Sequence, residues 1–105
     1  TSGNVPTPTP TTTTEPTHYE WYITVDSYNL ASSACLNTVQ QIVYTSVSSL
    51  SVGTIVYTDA ALTNELVGEV GQFIYGYATT NNVTATNTMA INTSGTGAIT
   101  ALTTC

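Results

Sequence analysis

From Trp21 onward the chain alternates: Trp21, Ile23 and Val25 fall on one side of an extended backbone, and Tyr22, Thr24 and Asp26 on the other. A period of two marks a half-buried β-strand, because successive side chains leave opposite faces. Two further runs of β-branched and aromatic residues follow at 42–47 and 54–58, separated by Ser-Ser-Leu-Ser-Val-Gly. Residues 72–78 set Phe73, Tyr75 and Tyr77 against Ile74, Gly76 and Ala78, and Thr79-Thr80-Asn81-Asn82 then supplies a turn. In the run 83–92, Val83, Ala85, Met89 and Ile91 face one way and Thr84, Thr86 and Thr88 the other. Ser94-Gly95-Thr96-Gly97 leads to a closing strand at 98–104. Six or seven short strands joined by polar turns predict an all-β fold, a small antiparallel β-sandwich or barrel. Only 60–70 has apolar positions near helical spacing, and Gly68 interrupts it, so a turn or one short helix is expected there.

A different texture precedes the strands. Residues 1–17 are dominated by Thr and Pro, and each proline fixes its own φ and pushes its predecessor toward extended conformations. Such a tract favours polyproline II and serves as an extended linker or connector to the β-domain expected at 18–105. Threonine clustered with proline is also the composition of O-glycosylated stalks, which makes Thr11, Thr12, Thr13 and Thr14 candidate acceptors. Asn82-Val83-Thr84 and Asn92-Thr93-Ser94 match the N-glycosylation pattern, adding Asn82 and Asn92. The chain begins at Thr1 rather than methionine, as expected of a processed protein or a piece of a longer one.

Charge changes the picture more than composition does. The 105 residues contain no lysine or arginine and six carboxylates, for a formal net charge of −6. Nucleic-acid binding and attraction to anionic lipid both draw on cations, so neither partner is expected. Proteases that cut after Lys or Arg find no site, which suits a protein outside cells. No apolar stretch is long enough to span a membrane as a helix.

Two cysteines are present, Cys35 and Cys105. The expected pairing is a disulfide that ties down the last strand; two free thiols in a reducing compartment are the competing reading. A bridge closing a loop of roughly 70 residues contributes about 4 kcal/mol in the loop-entropy model.

Candidate chemistry is sparse. Asp59, Glu65 and Glu69 lie close in sequence and are read as solvated loop acids, with calcium binding as the alternative. His18 is the sole histidine and is read as a surface residue at the strand entrance. No nucleophile, base and orienting group can be assigned together, so no enzyme activity and no cofactor are expected. Tyr19, Trp21, Tyr22, Tyr75 and Tyr77 divide between core packing, a subunit interface and a sugar-stacking surface.

From Ala34 onward the chain resembles a cysteine-terminated β-module of bacterial surface proteins and of phage tail or fibre proteins. The residues that carry the likeness are Cys35, Val43-Tyr44, the run from Gly53 through Tyr57-Thr58-Asp59, and Gly95-Thr96-Gly97-Ala98-Ile99-Thr100 closing on Cys105. It covers about two thirds of the chain, is built of short turn-dominated motifs, and implies an extracellular, cell-surface or virion setting without catalytic residues. The expected function is a non-enzymatic structural subunit of an extracellular filament or virion fibre, its partners further copies of itself. A terminal adhesive or carbohydrate-binding module recognising cell-surface glycans is the alternative.

Overall fold

A computed structural model describes residues 16–66, 73–92 and 96–105. The expectations placed on residues 1–15, including Thr11 to Thr14, and on Glu69 lie outside the described residues. Five strands and one short helix run in the order β1 (Tyr19–Thr24), α1 (Ala31–Cys35), β2 (Val39–Thr45), β3 (Phe73–Ala78), β4 (Asn87–Ile91) and β5 (Ile99–Thr104). They form one antiparallel sheet in the spatial order β2-β1-β3-β4-β5. The fold is all-β, and among the described residues five strands join the ladder, where six or seven were expected.

The predicted alternation in β1 holds as far as Ile23 and then slips. The β1–β2 register shifts between Ile23 and Thr24. Beyond that shift Val25 is 59 % exposed, although it continues the Trp21–Ile23 series. An irregularity of this kind changes which face the next side chain meets. The strand direction then resumes, for Tyr28 and Ile74 exchange backbone hydrogen bonds of 2.9 and 3.0 Å, and the chain after β1 stays alongside β3.

Residues 54–58, expected as a full strand, form isolated bridges instead. Tyr57 exchanges backbone bonds of 2.8 and 2.7 Å with Tyr44 of β2. On its other side, Val56 N–H donates to the Gly97 carbonyl (2.8 Å) and Ile99 N–H to that of Thr54 (2.8 Å). This segment therefore reaches both β2 and the start of β5, the two outermost strands.

The inner face carries the main core. Ile23, Val43, Val56, Met89 and Ile99 are fully buried, and Trp21, Phe73, Tyr77 and Leu102 pack at their margins. Burying aliphatic side chains of this size contributes about 1.5–3 kcal/mol each. On the outer face Val39, Ala78 and Ala85 form a smaller cluster beneath Tyr22. The run 83–92 splits accordingly: 87–91 joins the ladder, and Ala85 belongs to the opposite face from Met89 and Ile91. Buried threonines are satisfied locally, as where the Thr24 hydroxyl donates to the Asp26 carbonyl at 2.7 Å and that of Thr45 to Val47 at 2.7 Å.

The one helix among the described residues lies at Ala31–Cys35, and 60–66 is a turn. The helix packs over β3, where a Cβ on Gly76 would meet the Ala34 carbonyl oxygen at 2.5 Å and the Ala85 Cβ at 2.6 Å. Glycine at 76 is what allows backbone and helix to approach so closely. Asn37 closes the helix end, its Nδ2 donating to the Ser33 carbonyl at 2.6 Å.

Candidate functional site

The last strand is where sequence and sheet position combine into a surface that can act. Cys35, at the end of α1, and Cys105, one residue past β5, form a disulfide with a Cα–Cα distance of 5.6 Å. The bridge spans 70 residues and pins β5 to the helix lying across the sheet.

Pinned at that end, β5 has an outer edge that no described residue covers beyond Ile99. The β4–β5 register pairs Asn87 with Thr104 and Met89 with Leu102. Cys105 N–H donates to the Thr86 carbonyl (3.0 Å). In an antiparallel ladder this phase makes Thr88–Thr103 and Ala90–Ala101 the hydrogen-bonded pairs, so the N–H and C=O groups of Leu102 and Thr104 point away from β4. Among the described residues nothing pairs with those groups. Cover exists only at the start of the strand, where Ile99 bonds to Gly53 and Thr54 (both 2.8 Å). An open row of donors and acceptors is a template for another strand.

A shallow groove of about 410 Å³ lies beside this edge. Its floor follows the register row Ile74–Ala90–Ala101, with Phe73 and Thr100 among the flanking residues. The row is apolar and ends at Ala101, on the uncovered strand.

The opposite edge of the sheet is largely taken. Val39 of β2 bonds to Val83 and Asn82 (both 2.9 Å), and Tyr44 bonds to Tyr57, which leaves only 40–43 between them.

The acidic candidates are used locally. The Asp59 carboxylate accepts from the backbone N–H of Thr63 (3.0 Å) and of Asn64 (2.9 Å), and also from the Thr63 hydroxyl. Those bonds, the Thr63 hydroxyl foremost, lower its pKa below the usual value. The loop they fix includes Leu62 at φ 58°. Glu65 accepts from the Gly97 N–H at 3.4 Å. Among the described residues no group of three or more His, Cys, Asp or Glu could hold a metal ion.

The five aromatic candidates are not gathered on one surface. Trp21 and Tyr77 meet edge to face with centroids 6.1 Å apart, and the Trp21 indole N–H donates to Thr45 Oγ1 at 2.8 Å. Tyr75 is buried in the main core. Burial raises the pKa of both Tyr75 and Tyr77, with nearby Asp26 adding to the rise at Tyr75 and a Ser27 hydrogen bond opposing it. Tyr22 packs on the outer cluster, and Tyr19 is exposed at the start of β1. His18 lies against Tyr44, centroids 5.5 Å apart. Of the asparagines, Asn82 is exposed in a turn and Asn92 half-buried, its N–H donating to the Ala98 carbonyl at 2.8 Å.

The β5 edge and its groove were not among the residues singled out in the sequence. Periodicity identifies a strand but not its neighbours, and edge position follows only from the strand order. Comparison with protein-family models, with curated proteins and with solved structures gives no match in any of the three. Among the described residues no helix is long and apolar enough to cross a membrane.

Proposed function

We propose that the chain is a non-enzymatic structural subunit of an extracellular filament or virion fibre, built from copies that join through the β-domain and the Thr/Pro-rich N-terminal segment. The observation that carries this reading is the uncovered edge of β5, held in place by the Cys35–Cys105 disulfide. Main-chain groups on a fixed edge offer affinity for an extended segment without any charged contact, and this chain has no lysine or arginine to offer. The disulfide favours an oxidising setting, outside the cell or on a virion. The 53–58 segment, bonded toward both outermost strands, favours a partly closed barrel over a sandwich. A folded unit with one receptive edge and one extended arm joins head to tail, and contacts of that type make open fibres.

Electron microscopy of the full chain beside a variant lacking residues 1–17 tests the assignment. Fibres from the full chain and folded monomers from the truncated one are expected. Identical fibres from both would remove the arm from the account, and monomers from both would remove the assembly.

A further inference from the structure

Resting on that assembly reading, we propose that residues 6–10 of a second copy form the strand that covers β5, and that proline spacing makes this segment a one-sided strand. All four prolines, Pro6, Pro8, Pro10 and Pro16, stand at even positions. Backbone groups of successive strand residues point to opposite edges, so the missing donors all fall on one edge of an extended segment. Thr7, Thr9 and Thr11 keep their N–H groups on the other edge. The segment pairs on its threonine side, and its proline side stops any further strand from adding, as prolines do on natural sheet edges.

The fit to β5 is specific. Residues 7–10 run the length of the stretch from Ala101 to Thr104, which no described residue covers. Antiparallel pairing sets Thr7 opposite Thr104 and Thr9 opposite Leu102, the two residues whose main-chain groups point outward. Directly opposed residues share a face of the sheet. Pro10 then stands opposite Ala101 and Pro8 opposite Thr103, so the proline rings extend the row Ile74–Ala90–Ala101 and cover the groove beside it. Residues 11–18 lead on to β1 of the donating copy. The free stretch of β2 is closed at both ends by Val39 and Tyr44, which are already bonded, whereas β5 is open from Leu102 to Thr104 among the described residues.

The test compares full-length variants by sedimentation velocity over a range of concentrations. Thr7→Pro with Thr9→Pro places prolines on the pairing edge; Thr12→Pro with Thr14→Pro adds the same number at even positions. Thr104→Pro removes an outward donor from the receiving edge and leaves the β4 ladder bonds in place. Intact mass checks the disulfide, and thermal unfolding checks the fold. The odd-position pair and Thr104→Pro are expected to raise the concentration needed for assembly about tenfold or more, and the even-position pair to leave it within about twofold. Equal assembly by the odd and even variants overturns the one-sided strand and leaves the filament reading standing. Undiminished assembly by a folded Thr104→Pro variant overturns β5 as the receiver. A wild-type chain that stays monomeric overturns both the inference and the assembly reading.

Discussion

Single side chains decide how closely the parts of this domain pack. Gly76→Ala forces a Cβ against the Ala34 carbonyl and the Ala85 methyl, neither of which can swing away. Overpacking of this kind is expected to cost about 1–3 kcal/mol, measured as a shift in the urea midpoint with an unchanged m-value. Titration gives a second handle. Tyr75 and Tyr77 have pKa values raised above the usual 10.0, so the fold favours their neutral forms. Their contribution is intact below pH 10 and is lost as pH climbs through the raised values. Absorbance at alkaline pH should show these two phenols ionising above the usual 10.0, with unfolding accompanying that phase. Asp59 works in the opposite sense: its lowered pKa gives stability that is present above 3.8 and fades as pH falls through the lower value. Part of this level was legible from the sequence: Trp21 shares a face with Ile23, and Tyr75 with Tyr77, as alternation predicts, and that face turns out to be the inner one. Val25 was not, because the register shift after Ile23 is a property of two strands, whereas a periodic pattern belongs to one.

The strands were easier to read than what joins them. Helix α1 has five residues, too few to display a helical period, and its two serines are ordinary helix formers at best. Tertiary contact holds it: Ala34 fits over Gly76, and Cys35 reaches Cys105. The 60–70 region was expected to hold a turn or one short helix, and its described part, 60–66, is a turn organised by Asp59. Residues 54–58 carry strand-like side chains but supply only bridges, because their backbone is shared between β2 and the start of β5. The disulfide holds these parts in register. Cys105→Ser is expected to remove about 4 kcal/mol, the value for a loop of this length, and to free the end of β5 first. Amide exchange should show early loss of protection at Thr103 and Cys105, whose N–H groups bond back to β4. Uniform protection across β4 and β5 in the reduced variant would mean that the bridge does not anchor the strand.

At the level of the whole molecule, charge works against the proposed association, which the β5 edge would support. Every copy carries a formal charge of −6 with no lysine or arginine to offset it. Like-charged subunits repel, and the repulsion is screened over about 8 Å at physiological ionic strength and over about 30 Å at 0.01 M. Assembly is therefore expected to strengthen as salt rises from 0.01 to 0.15 M, the reverse of what oppositely charged partners would show. Light scattering at fixed protein concentration checks the direction. The account stands most directly on whether intact chains join at all. Sedimentation velocity of the oxidised, full-length protein across a hundredfold range of concentration answers that in one experiment. The prediction is a series of species growing in mass with concentration and lost when residues 1–17 are removed; a single monomer-sized boundary throughout would contradict it.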